Sequence, residues 1–115
     1  MIIRGDLLEQ QTMEKPRGGE GTAIRMAYEA ACGFKGEVTN FAMMQLDAGS
    51  SIGYHAHEGD MEIYLILDGV AKTSDNGEEE ILNPGDMLVT KDGESHNLVN
   101  DTLEPVTFLA LIIKH

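Results

Sequence analysis

The sequence predicts an all-β protein, a sandwich or small barrel built from short strands. Short runs rich in β-branched and apolar side chains recur along the chain. Between them stand turn signals at close intervals: Asp47-Ala48-Gly49-Ser50, Asp75-Asn76-Gly77 and Asn83-Pro84-Gly85-Asp86. Glycine and asparagine tolerate the left-handed backbone that tight turns need, so each cluster reverses the chain. Many strands with frequent turns, and no evident internal repeat, point to sheet packed on sheet. A length of 115 residues fits one such domain and can bury a core without disulfide staples.

The elements follow in order. Residues 1–21 are polar and close on Arg17-Gly18-Gly19-Glu20-Gly21, an arm or edge segment ahead of a single domain at 22–115. Thr22 to Tyr28 reads as a strand, and Glu29 to Gly36 as one helical turn or only a loop. Val38 to Leu46 is strand-like, and after the turn at 47–50 another strand carries His55. Glu62 to Leu67 is apolar and β-branched enough for a buried strand. Val70 to Ser74 and Glu78 to Leu82 flank Asn76-Gly77, a strong hairpin signal. Met87 to Thr90 follows the Pro84-Gly85 turn, Lys91 to Glu94 turns again, and a strand bearing His96 comes next. Val106 to Ile113 is apolar on both faces.

Composition excludes several function classes. A formal charge of −12 argues against a nucleic-acid partner, which would need a basic patch. No apolar run is long enough to span a membrane or to serve as a signal peptide, so a cytoplasmic location is expected. The single cysteine, Cys32, can form no internal disulfide and belongs to no metal-type cluster.

The chemistry concentrates in two glycine-bounded segments. In the first, Gly49 precedes His55, His57 and Glu62, and Gly69 closes it; in the second, Gly85 and Gly93 precede His96 and Asn100. On an extended strand residues i and i+2 share a face about 6.5–7 Å apart, so His55 and His57 point the same way. Glu62 has the wrong parity for the same straight strand. A hairpin loop at Glu58-Gly59-Asp60-Met61 would make His57 and Glu62 a cross-strand pair, their Cβ atoms roughly 4.5–5.5 Å apart. A lone histidine is more often a surface or core residue than a ligand, and His-x-His alone is a weak pattern. Three like-facing ionisable groups in a small apolar interior, however, are costly to bury without a partner, and a metal ion is the natural one.

These segments resemble the two cupin motifs. The first, G-x5-H-x-H-x4-E-x6-G, is matched at every fixed position, and the second, G-x5-P-x-G-x2-H-x3-N, departs only in having Lys91 at the proline. The resemblance implies a double-stranded β-helix, a jelly roll of two antiparallel sheets with six to eight strands. It also implies one divalent metal held by His55, His57, Glu62 and His96. The full ligand set is similar to that of the germin and oxalate-decarboxylase branch, which favours manganese and small dicarboxylates. Small cupins are commonly homodimers.

Parity extends the site. With Glu62 inward, Tyr64 and Ile66 follow it, leaving Ile63, Leu65 and Leu67 outside; with His96 inward, Leu98 and Asn100 follow. The outward apolar row needs a cover, either residues 1–21 or a second copy, and a homodimer is the expectation.

Coordination number decides the chemistry. Zinc prefers four ligands, and this set would close it. Manganese, iron, cobalt or nickel would keep two positions open for a small carboxylate, hydroxyacid or O₂. The expectation is therefore a metal-dependent enzyme of decarboxylase, oxidase or dioxygenase type. The alternative is a non-catalytic module that binds a metal and a small ligand. A carboxylate reaction needs an arginine or acid nearby, drawn from Arg4, Arg17, Arg25 and Glu94. Arg25, within a strand, and Tyr64, of inward parity, are the expected catalytic residues.

Other features read as structural. Gly49-Ser50-Ser51-Ile52-Gly53 matches a nucleophile elbow but lacks the helix that motif requires. Glycines 18, 19 and 21 lack the lysine of a phosphate loop. Glu78-Glu79-Glu80 reads as a solvated edge, Cys32 as a small buried residue, and His115 as a frayed terminus.

Overall fold

The computed structural model describes residues 1–33 and 36–114. Ten strands run through them: β1 (Gln10–Glu14), β2 (Thr22–Ala27), β3 (Val38–Leu46), β4 (Ser51–Ala56) and β5 (Asp60–Asp68), then β6 (Ala71–Asp75), β7 (Glu78–Leu82), β8 (Met87–Thr90), β9 (Ser95–Val99) and β10 (Val106–Lys114). One helical turn, α1 (Glu29–Cys32), separates β2 from β3. The strands form a six-stranded sheet, in the order β1-β2-β3-β10-β5-β8, and a four-stranded sheet, β4-β9-β6-β7. Every pairing is antiparallel. The two-sheet β architecture is as expected, with more strands than the six to eight implied.

Alternation along the strands builds the interior. Ala42, Met44 and Leu46 of β3, Val106, Phe108 and Ala110 of β10, and Tyr64 and Ile66 of β5 all face the second sheet and are buried. Leu98 of β9 and Ile52 of β4 meet them from the other side. Register sets the order along the barrel: Phe108 lies between Met44 and Ile66, Ala110 between Ala42 and Tyr64, and Ile112 between Asn40 and Glu62. The interior thus grades from a mainly apolar end to one where Asn40 and Glu62 bring polar groups inside.

Asn100 pins the apolar end. Its Nδ2 donates to the carbonyls of Leu46, Asp47 and Glu104 at 3.0, 3.2 and 2.8 Å. Its Oδ1 accepts from the Thr102 backbone and hydroxyl at 3.0 and 2.6 Å. This motif residue is fully buried and works on the fold: its bonds to Leu46 and Asp47 tie the turn before β10 to the end of β3, and those with Thr102 and Glu104 brace the turn itself.

Residues 10–14 extend the large sheet at its edge and do not cross its outer face. The segment Lys15–Gly21 then straps across β4. Lys15 and Arg17 adopt φ of 45° and 52° on either side of buried Pro16. Ser51 N donates to Glu20 O at 2.7 Å and Glu20 N to Ser51 Oγ at 2.9 Å. A Cβ on Gly19 would overlap the Ser51 carbonyl, and one on Gly53 would overlap the Arg17 carbonyl. Only glycine at both positions lets the two backbones lie this close.

Glu78, Glu79 and Glu80 are exposed on the edge strand β7. Cys32 is half-buried and free, a correction to its reading as a buried residue. His115 lies outside the described residues. No helix among them is long and apolar enough to cross a membrane.

Candidate metal centre

Four side chains converge where the two sheets open. His55 and His96 are direct cross-strand partners on β4 and β9. Glu62 reaches in from β5 of the facing sheet, between Ile112 and Thr90. His57 lies just past β4, in the connection that carries the chain from one sheet to the other. The hairpin expected at 58–61 does not form, because β4 and β5 belong to different sheets. His57 and Glu62 therefore meet across the barrel and not along a ladder.

Backbone contacts fix His57 without a strand. Its N–H donates to Glu94 O at 2.9 Å, and Gly93 N donates to its carbonyl at 2.7 Å. The turn supplying those partners holds without proline. Lys91 N, a donor that proline lacks, bonds Glu94 Oε1 at 2.8 Å, and Glu94 N returns to Lys91 O at 3.0 Å.

Each imidazole is oriented through Nδ1. That of His55 donates to Gly53 O at 2.7 Å, that of His57 to Asp60 Oδ1 at 2.8 Å, and that of His96 sits 2.8 Å from the Thr90 hydroxyl. Such partners fix ring orientation and leave Nε2 for the centre. Tyr64 stacks on His96 with centroids 4.8 Å apart and planes at 17°. His96 Nε2 lies 3.2 Å from Nε2 of both His55 and His57, and Glu62 Oε1 lies 3.1 Å from Nε2 of His57 and His96.

Nitrogen lone pairs this close repel unless a cation or proton stands among them. A cation bonded at about 2.0–2.2 Å sets adjacent donors roughly 3.0–3.5 Å apart, so the observed spacing fits a metal. All four donor atoms fall within 4.8 Å of one another and could hold one ion.

Electrostatics agree. Burial would raise the Glu62 carboxyl, but hydrogen bonds to His57 and His96 overcome it and hold the pKa at about 2. The Glu62 hydrogen bond raises His57, against its burial and with help from Asp60, while burial lowers His55. Glu62 therefore stabilises the metal-free fold fully above its ordinary value of 4.5, and that contribution is lost as pH falls toward 2. His57 contributes below 6.5 and loses its share as pH rises through its elevated value. Urea titrations of metal-free Glu62→Gln should show a flattened acid limb relative to the parent; an identical limb would remove Glu62 from this account.

Beside the donors opens a cavity of about 120 Å³, small against the roughly 300–1,000 Å³ of drug-sized sites. His55, Glu62, Tyr64, Asn40, Arg25 and Arg17 supply its polar wall, and Met13, Met44, Ile52 and Ile112 its apolar one. Arg25 is engaged there: it bonds Asn40 at 2.9 Å, Gln11 at 3.0 Å, and Glu29 in an ion pair. Arg4 and Glu94 do not line the cavity. Arg17, Asn40 and the ring-holding Asp60 and Thr90 carried no motif signal. A larger hollow of about 410 Å³ over Lys72, Glu79, Glu80 and Ile81 gathers no convergent donors.

The family model of the cupin domain matches residues 42–112, a stretch that holds all four donors. The chain belongs to the cupin family. This cupin is 35% identical over 113 residues to the oxalate-binding protein of Thermotoga maritima, spanning 98% of this chain and 93% of that one. The crystal structure of a predicted oxalate decarboxylase from Thermotoga maritima matches with a TM-score of 0.92 at 35% identity, covering 100% of both chains. A sugar phosphate isomerase of the cupin superfamily from Silicibacter pomeroyi gives a TM-score of 0.81 at 21% identity, over 100% of this chain and 76% of that one. At that identity the likeness speaks for the fold alone.

Proposed function

We propose that this cupin binds one divalent transition metal through His55, His57, Glu62 and His96 and acts as a metal-dependent enzyme on a small carboxylate. The observation that carries the proposal is a cluster of four converging donors, two of which, His55 and Glu62, open onto a small cavity with two arginines on its wall. Three neutral imidazoles and one carboxylate leave a divalent ion a net charge near +1, which attracts an anion despite the acidic chain. Manganese is favoured, with iron, nickel or cobalt as substitutes, because six-coordinate ions keep positions open that four-coordinate zinc would not. Such an ion supplies Lewis acidity and a template for a small oxygen ligand.

The protein's own groups have separable roles. Arg25, locked by Glu29 and Asn40, gives the cavity a fixed guanidinium wall whose charge Glu29 partly offsets. Burial, then the Glu62 charge and a hydrogen bond to Glu62, drive the Tyr64 pKa well above 10.0, so its hydroxyl stays protonated. The relative named for oxalate binding favours a second reading, in which ligand is held without turnover.

Titration of the metal-loaded protein with oxalate and other small carboxylates, with CO₂ release and O₂ uptake followed, tests both readings. Saturable, metal-dependent binding with turnover is expected. Binding without turnover would make this a binding module, and failure to bind any carboxylate would sink both. Tyr64→Phe should keep its metal and lose about three- to tenfold in carboxylate affinity, one neutral hydrogen bond. Unchanged affinity for every carboxylate bound would take Tyr64 out of the site.

The working unit in this proposal is a homodimer. The outward faces of β2, β3, β10, β5 and β8 carry Met26, Met43, Leu109, Leu65 and Met87 in one cross-strand row. Leu111, Ile63 and Val89 form part of the next row, and no charged side chain interrupts either stretch. Two copies of a chain of charge −12 can meet there without opposing like charges.

A further inference from the structure

We propose that Arg17, carried on the Lys15–Gly21 strap, is the specificity-determining residue that reads the second negative charge of a dianionic ligand. The inference rests on the carboxylate reading above and adds a residue that no motif marks. Two arginines reach the cavity, and they differ in state. Arg25 is held by Glu29, Asn40 and Gln11. Arg17 is exposed at the mouth and has no hydrogen bond or ion pair among the described residues. It nevertheless lines the same cavity as His55, Glu62 and Tyr64.

The strap holds this unpartnered cation in place. Lys15 and Arg17 both take the left-handed backbone, a conformation retained mainly where the surroundings impose it. The surroundings here are buried Pro16, the Glu20–Ser51 bonds, and the close backbone approach permitted by Gly19 and Gly53. Gly53, which the Arg17 carbonyl approaches on its Cα side, also orients the His55 ring through its own carbonyl, so one residue adjoins both the strap backbone and a metal donor. A free, planar, five-donor guanidinium on a fixed backbone is suited to a carboxylate, and only the outer end of a ligand seated at the donors would meet it.

Calorimetric titration of the metal-loaded parent, Arg17→Met and Arg17→Lys with oxalate and glycolate provides the test. The two probes differ by one carboxylate charge. Arg17→Met should lose about ten- to a hundredfold for oxalate, the worth of a charged hydrogen bond, and less than about threefold for glycolate. Metal content and thermal midpoint should stay at parent values, and Arg17→Lys should recover part of the oxalate loss. Equal losses for both probes, loss of neither, or loss of metal would overturn the role of Arg17 while the carboxylate reading stands. A metal-loaded parent that binds neither probe overturns both.

Discussion

Purified without an affinity metal, the protein is expected to carry close to one equivalent of divalent metal, and His57→Ala, Glu62→Ala or His96→Ala almost none. The expectation follows from how the donors are held. Gly53, Asp60 and Thr90 fix the imidazoles, so the site is formed before the ion arrives. Four-ligand zinc sites gain about 10–16 kcal/mol, so one donor of four is worth about 3 kcal/mol, or roughly a hundredfold in Kd. Glu62→Ala also removes the only carboxylate of the set and should be the most severe. Each variant should keep the β-sheet circular dichroism of the parent, because the core at Phe108, Ile66 and Leu98 lies deeper in the barrel. Elemental analysis decides the matter. Full occupancy in any variant would sink that ligand assignment, and zinc alone in the parent would favour a structural or hydrolytic site over an open one.

The clustering of His55, His57, Glu62 and His96 was legible from the two motif segments, and the facing of residues along each strand from parity, which is local. His55, Glu62 and His96 face inward as predicted, and Tyr64, Ile66, Leu98 and Asn100 follow at alternate positions. What parity cannot report is which sheet a strand joins. A four-residue gap with a glycine fits a hairpin, but Gly59, at φ 76°, instead helps the chain turn the corner between sheets. The cross-strand pair at the site is not His57 and Glu62 but His55 and His96, 41 residues apart. β1 was missed because Gln10-Gln11-Thr12-Met13-Glu14 is polar save for Met13, which packs against the core from an edge. Arg17 was one of four candidates, and the sequence favoured Arg25 over it for a similar reason. The strap reads as a glycine-rich loop, and its meaning lies in a backbone contact with Gly53 that no local pattern encodes.

Leu65→Glu and Leu109→Glu are each expected to convert a dimer to a monomer. The two side chains are register partners at the centre of the uncovered face, with Met43 and Met87 beyond them. Residues 10–14 lengthen the sheet at its edge, and Met1, Ile2 and Leu7 stand exposed, which favours a second copy as the cover. A two-fold interface counts each substitution twice. Losing a buried leucine at about 1.5–3 kcal/mol per copy then weakens the dimer by about 3–6 kcal/mol, roughly 10²- to 10⁴-fold. Burying a carboxylate adds to the loss. Ile81→Glu is the control: Ile81 is as large and 58% exposed, but it sits on the solvated small sheet, where Lys72 already faces it. Sedimentation equilibrium should give a dimer for the parent and for Ile81→Glu, and a folded monomer for the two large-sheet variants. A monomeric parent would end the dimer proposal, and a parent dimer untouched by either leucine variant would move the interface to another face.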